Sequence, residues 1–381
     1  MCNASDARRP PVIPARHRFL RGALGPWVFG RTTAKMIDRR HSEILADVVR
    51  TFIETGEPVS SRTVSRRHTE QLSSATVRNV MADLEEEGYL CQPHTSAGRI
   101  PTTAGYRFFV QHVAGQPAQL SEQDREWIHR ELSSASTPEE VMERASHVLA
   151  SVTQGLGIVI SPSLSHMAIE HVRFVPLPDG RIVVVLLSAG GITRDKVIRL
   201  PHTIAEAELD RTANMVNAEY RGWTLQAIRA DLKKRIARDR ERYDQLSSNA
   251  LLLCDPKLLG EDAPRELYVE GAAQIVTAAG IAAPEDVREL LEAIEERTHL
   301  VELLTSCIEA PEPVHVEIGV RGMDRAGQRL ALVTAPYAWS EPMQGSLGIL
   351  GPMRMHYERA ITTVACVAQY FNSYLSGGRS S

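Results

Sequence analysis

The stretch LSSATVRNVMADLEEEGYL (residues 72–90) decides how the first third of this chain is read. Val77, Met81 and Leu84 recur at i, i+4 and i+7, which places them on one face of a helix over 75–87. Ser73 and Ser74 stand just before it, offering side-chain oxygens to the unpaired amides of a first turn, and Gly88 closes it. The opposite side of the N-terminal half offers Ser74, Thr76, Arg78 and Asn79, with Ala75 small enough for close approach. These side chains have the right chemistry for a DNA groove. Arginine donates twice to guanine, asparagine pairs with adenine, and serines beside helix N-terminal amides suit a phosphate. The acidic run Glu85-Glu86-Glu87 sits at the other end. Taken alone, the same pattern also fits an ordinary solvated amphipathic helix.

The neighbouring sequence narrows the choice. Ile44, Leu45, Val48, Val49, Phe52 and Ile53 follow helical spacing over 38–55, and Gly56 stops that helix. Pro58 and Val59 extend the chain, and Ser60 or Ser61 caps a short second helix ending at Arg67. Two short helices joined tightly through Leu72-Ser73-Ser74 form a helix-turn-helix. Arg62, Arg66, Arg67 and Arg78 against Glu70 make its basic side local. Downstream, a strand at 89–92, a turn-rich tip at 93–98 and a return at 99–101 lead to a helix at 104–113 capped by Thr102 or Thr103. A hairpin in this place is a wing, with His94, Thr95, Ser96 and Arg99 suited to phosphate or the minor groove. The alternative is a hairpin that only packs. Residues 36–112 are therefore expected to form a winged-helix DNA-binding domain. Its candidate DNA contacts are Ser61, Arg62, Ser73, Ser74, Ala75, Thr76, Arg78, Asn79, His94, Thr95, Ser96 and Arg99.

The whole chain limits the function classes. Its 381 residues, at roughly 150 per domain, imply two or three domains. Hydrophobic residues at 43% permit a sizeable core, while no apolar run reaches the length of a spanning helix. Cys2, Cys91, Cys254, Cys307 and Cys366 are scattered without a C-x-x-C pair, which excludes a zinc ribbon or disulfide framework and suits a reducing cytoplasm. A net charge of −4 excludes a uniformly basic coat, so any polyanion binding needs a local patch. Arginine heavily outnumbers lysine, a bias that reflects genome composition more often than phosphate recognition. Residues 1–35 carry seven cations against Asp6, with Pro10, Pro11 and Pro14. They are read as a disordered extension upstream of Met36 as the working start, or else as a basic arm reaching phosphates.

Beyond 113, helices are expected at 122–133 and 138–154, then strands at 157–160, 169–176, 182–188 and 192–200. Helices alone are expected from 205 to 305. Strands return at 314–320, 330–336 and 345–350, followed by a helix at 354–375 on which Arg354 and Tyr357 share a face. The order implies one α+β domain, 113–205 and 296–376, interrupted by a mainly helical insertion at 206–295. Leu225, Ile228, Leu232, Ile236, Tyr243 and Leu246 line one side of a helical stretch whose cations are interleaved with Asp231, Asp239, Glu241 and Asp244. That favours a solvated helix with one buried seam, of a kind that can pair between subunits, over a basic zipper. Gly155-x-Gly157 leads into a strand and is no nucleotide fingerprint; His166 and His171 lack metal-ligand company. No nucleophile, paired acid and base, metal or cofactor motif occurs, so an enzyme is not expected.

The segments ETGEPVSSRTV (54–64), LSSATVRNVMADLEEEGYL (72–90), GYLCQPHTSAGRIPTTAGYRFFV (88–110) and GSLGILGPMRMHYERAI (345–361) resemble the heat-inducible transcription repressor HrcA family. Val80, Met353 and His356 depart from the family pattern. The resemblance implies a GAF-like domain interrupted by an inserted dimerising domain. It also implies a homodimer on double-stranded DNA bearing the inverted repeat called CIRCE, and a GroEL-type chaperonin as the partner that holds the repressor active. Physics points to pairing as well. Specific binding exceeds nonspecific by about 4–10 kcal/mol, whereas each base contact supplies only about 1–3 kcal/mol. The alternative from another class is a regulator sensing a small metabolite in the GAF-like domain.

Overall fold

The structure is a computed structural model that describes residues 37–68, 72–94, 97–112, 120–162, 168–188, 191–200, 202–238, 245–256, 258–259, 265–278, 284–295, 297–308, 313–320, 327–340 and 343–377. The expectations for residues 1–35, Met36, Thr95, Ser96 and His166 lie outside them. The fold is mixed α/β.

The N-terminal module runs α1 (Arg39–Thr55), α2 (Ser61–Arg67), α3 (Ser74–Glu86), β1 (Leu90–Cys91), β2 (Ile100–Pro101) and α4 (Thr103–His112). Asp38 caps α1 by accepting from the His41 amide, and Gly56 ends it at φ 71°, a left-handed position that favours glycine. Ser60 caps α2 and Ser73 caps α3, each accepting from an amide three residues on. Ile44, Leu45, Val48 and Val49 of α1, Val64 of α2, and Val77, Met81 and Leu84 of α3 share one buried core. Val80 joins it at 6% exposure, on the packed side of α3.

The body is built on an antiparallel five-stranded sheet in the order β7-β3-β10-β9-β8. Its strands are β3 (Leu156–Ile160), β7 (Leu267–Glu270), β8 (His315–Ile318), β9 (Leu330–Ser340) and β10 (Met343–Pro352). Alternation along β3 assigns its two faces. Val159 packs with α6 (Pro138–Thr153) and the C-terminal helix α13 (Tyr357–Gly377). Leu156, Ile158 and Ile160 pack on the other side against α10 (Ala272–Ala278), α11 (Pro284–Glu295) and α12 (Arg297–Ile308). At Gly157 a Cβ would drive into the Ser146 carbonyl, so helix α6 lies flush on the strand there. Helix α5 (Glu122–Ser133) adds Ile128 and Leu132 to the α6 side.

A second unit has its own core. Strands β4 (Ile169–Pro176), β5 (Arg181–Ser188) and β6 (Thr193–Arg199) form a separate antiparallel sheet. They pack on α7 (Glu206–Glu219), α8 (Leu225–Arg238) and α9 (Gln245–Leu253) through Val172, Phe174, Val184, Leu186, Leu209, Val216, Ile228, Leu232 and Leu253. Asn217 of α7 accepts from the Val172 amide at 2.7 Å and donates to its carbonyl at 3.0 Å, satisfying the open edge of β4.

The structure differs from the sequence reading at several points. Strands β4–β6 pack with α7–α9 in one core that runs from Ile169 to Leu259, across the expected boundary at 205/206. Helices α10 and α11, expected inside the insertion, cover the main sheet together with α12 instead. A strand, β7, occurs where only helices were expected, pairing Leu267–Glu270 with Ile160–Gly157. Alternation identifies a strand locally, but the choice of sheet depends on distant partners. A four-residue edge strand carries too short a pattern to stand out. The last helix also begins three residues late, at Tyr357, leaving Arg354 in the bend before it.

Candidate nucleic-acid interface

Helices α2 and α3 meet at their N-terminal ends, where Ser61 Oγ and Ser74 Oγ share a hydrogen bond at 3.4 Å. Ser65 Oγ donates to the Leu72 carbonyl at 2.6 Å and holds the chain entering α3. The far end of α2 is tied down through His68. Its amide bonds the Val64 carbonyl, and its buried ring meets Asp47 of α1 at 2.7 Å. These bonds orient α3 through Ser74 and the chain before it, not through Arg78 or Asn79.

Along α3 the two faces separate as the spacing predicts. Val77, Val80, Met81 and Leu84 are buried, whereas Ser73, Ser74, Ala75, Arg78 and Asn79 are exposed. Thr76 is half-buried: its amide donates to Ser73 Oγ at 3.1 Å, and its hydroxyl lies 2.9 Å from the same oxygen. Arg62 is exposed on the adjoining turn of α2, with Ser61 half-buried beside it. The outer side of the α2–α3 corner therefore carries Arg62, Ser74, Ala75, Arg78 and Asn79 together. Arg66 is exposed on α2, while Arg67 turns back to Glu54 of α1 at 2.6 Å.

The hairpin follows directly. Leu90 pairs with Pro101 and Cys91 with Ile100. Arg99 also bridges Val59 through two backbone bonds of 2.9 Å, so the stretch before α2 acts as a third arm. At Gly98 a Cβ would overlap the Val59 carbonyl, which restricts this close crossing to glycine. Gln92 donates to the Ala97 carbonyl at 2.8 Å and draws the arms together, and His94 is exposed at the tip. Arg99 does not join that exposed set. Its guanidinium bonds Glu85 at 2.9 Å and is only 17% exposed, bracing the hairpin against the C-terminal turn of α3. Its expected phosphate contact is corrected to this internal strut, since a half-buried arginine already matched to a carboxylate has little to offer a duplex.

Sequence reasoning missed the support beneath the helix. The His41 ring of α1 lies 2.8 Å from the Asp38 carboxylate and 3.5 Å from Asp83 of α3. Burial lowers its basicity, but the Asp38 and Asp83 carboxylates more than compensate and hold its pKa above the usual imidazole range. The reach to Asp83 was not visible in the sequence, because it crosses between helices.

Among the described residues, no group of three His, Cys, Asp or Glu side chains is placed to hold a metal ion. No helix among them is long and apolar enough to cross a membrane.

Residues 139–361 match the family model described as the HrcA protein C-terminal domain. The chain is 32% identical over 341 residues to the heat-inducible transcription repressor HrcA of Syntrophobacter fumaroxidans, covering 89% of this chain and 97% of that one. It is 34% identical over 342 residues to the protein of the same name from Geobacter sulfurreducens, covering 90% and 99%. A crystal structure described as that of a hypothetical protein superposes with a TM-score of 0.57 at 25% identity, covering 90% of this chain and 99% of the other. With a family match across most of the body and relatives aligned through the α2–α3 corner as well, the chain belongs to the heat-inducible transcription repressor HrcA family, whose members repress transcription and are not enzymes.

Proposed function

We propose that this chain is a sequence-specific repressor of heat-shock operons that binds an inverted-repeat operator of the CIRCE type as a homodimer. The N-terminal module acts as a winged helix. Helix α3 lies in the major groove, with Arg78 and Asn79 on base edges and Ser73, Ser74, Ala75 and Thr76 at its close approach. Ser61 and Arg62 meet the phosphates beside it, as does the tip with His94, Thr95 and Ser96. The observation that carries this reading is the division of α3. A serine-capped N-terminal half exposes Arg78 and Asn79 while Val77, Met81 and Leu84 lock the helix from below.

Pairing of two copies is supported by the inserted unit. On the side of its sheet away from α7–α9, Val175, Val183 and Val197 stand in register across three strands. Val175 and Val197 are 38% and 43% exposed, and Leu187 on the same sheet is 36% exposed. An apolar row of this kind is the surface expected to be covered by a partner. The three-layer body is read as GAF-like. Family membership supports a GroEL-type chaperonin as the partner that keeps the repressor active until unfolded proteins compete for it.

A mobility shift tests the proposal. The chain should retard a duplex carrying the inverted repeat of a chaperonin promoter well below the concentration at which it retards a scrambled repeat. Added chaperonin should raise the active fraction. Equal retardation of both duplexes refutes sequence-specific binding.

A further inference from the structure

The segment GSLGILGPMRMHYERAI (345–361) stood out in the sequence, yet among the described residues no hydrogen bond, ion pair or ring contact joins it to the side chains placed on DNA. Its first part is β10, central in the main sheet. Its last part, from Met353 onward, faces the N-terminal module. Arg354 lies against Gly56, so closely that a Cβ on that glycine would sit 2.5 Å from Nη1. Gly56 is the C-cap of α1, so the guanidinium is set at the negative end of that helix. Tyr357 is 1% exposed. Its hydroxyl donates to the Met353 carbonyl at 2.6 Å, and its ring meets Tyr106 and Phe109 of α4 at centroid distances of 6.2 and 6.4 Å. Glu358 accepts from Arg50 of α1 at 3.0 Å, and Arg50 also lies over the Phe109 ring at 5.8 Å. On the other side of α4, Arg107 donates to the Ile318 carbonyl of β8 at 3.0 Å.

Three neighbouring body residues therefore grip three points of the module: the end of α1, the aromatic face of α4 and the side of α1. The grip on Gly56 lies just ahead of Val59, which pairs with the hairpin, and of Ser60, which caps α2. Little chain slack separates the grip from the reading unit. A flexibly tethered module would need only a linker here, whereas the buried aromatic contact and two cation contacts fix direction as well as distance.

We propose that Arg354, Tyr357 and Glu358 form a seat that sets the angle between the DNA-reading module and the body, and so the spacing and phase at which two paired bodies present their reading helices. These are positioning residues, and their role rests on the dimeric operator-binding reading given above. Two reading helices must meet the groove about one helical turn apart or a multiple of it. Each added base pair turns the second half-site around the duplex, so a rigid seat penalises wrong spacers and a loosened one tolerates them.

The test uses the full chain, the double variant Arg354→Ala/Glu358→Gln, and Arg50→Gln, which opens the same contact from the module's side. Affinity is measured for an isolated half-site and for inverted repeats whose spacer differs by single base pairs. Thermal melting checks that each variant is folded. The expected result is an unchanged half-site affinity with a loss on the order of tenfold on the optimal inverted repeat, as the effective concentration of the second module falls. The preference among spacers should flatten in both variants. Spacer profiles identical to wild type, or equal losses on half-site and inverted repeat, overturn the seat. If wild type itself does not prefer the inverted repeat over the half-site, the dimeric reading fails, and the seat's role falls with it.

Discussion

Replacing Arg78 with alanine separates base reading from general attraction to DNA. Arg78 is exposed on α3, while the same helix is held by Val77, Met81 and Leu84 beneath. The truncation therefore opens no cavity, and folding stability should change by no more than about 0.5 kcal/mol. A bidentate arginine–guanine contact is worth about 1–3 kcal/mol. A dimer makes it twice, so the inverted repeat should lose about 2–6 kcal/mol, roughly thirtyfold to twenty-thousandfold in affinity. Arg62, exposed at the start of α2, gives the contrast. As a phosphate contact, Arg62→Ala should weaken operator and scrambled duplex alike and lower the salt slope by about one per copy. Fluorescence anisotropy over a salt series, with operator and scrambled duplexes and a melting curve for each variant, resolves both effects. The reasoning fails if Arg78→Ala binds the operator as tightly as wild type. It fails equally if the loss is the same on both duplexes and only the salt slope moves.

Other substitutions test the support of that helix. Met81→Ala empties a fully buried site and should cost about 2–5 kcal/mol in urea unfolding; a loss under 1 kcal/mol would mean that the α1–α3 core is not packed as described. Ser73→Ala removes the cap on α3 and should cost about 1 kcal/mol, with operator affinity falling alongside; unchanged amide exchange in the first turn of α3 would count against it. At Gly105 a Cβ would strike the Tyr89 carbonyl, a backbone atom that cannot swing aside, so Gly105→Ala should destabilise the chain by about 1–3 kcal/mol on thermal melting. For His41, the folded-state pKa lies above the unfolded value of 6.5. Its stabilisation is complete below pH 6.5 and declines as pH rises through the folded value. His41→Gln should remove that decline, and an unaltered pH–stability slope in the variant would exclude the Asp38–His41–Asp83 link as its source.

What was legible in the sequence was local. Helix α3 needed only the positions of Val77, Met81 and Leu84 and the serine before them, because amphipathic spacing and capping act within a few residues. Helix α5 appears at Glu122–Ser133, the range its sequence predicts, for the same reason. Contacts across the fold were not legible in this way. Arg99 looked like a free cation at a hairpin tip until the hairpin brought it to Glu85, fourteen residues earlier. Arg354 and Tyr357 looked like neighbours on one helix, whereas the bend after β10 sends the first to Gly56 and the second to the rings of α4.

The sequence by itself thus determined helices α1–α3, the serine caps of α2 and α3, the hairpin beside them, most strands of the body and the family. The tertiary structure alone decided that β4–β6 form a separate sheet with α7–α9, that β7 joins β3, and how the N-terminal module is held against the body. The physical reason is range. Periodicity and capping are written into adjacent residues, but a strand with a good pattern can pair in any sheet whose buried face it completes. That choice is made by competition among distant partners for the same hydrogen bonds and the same apolar surface.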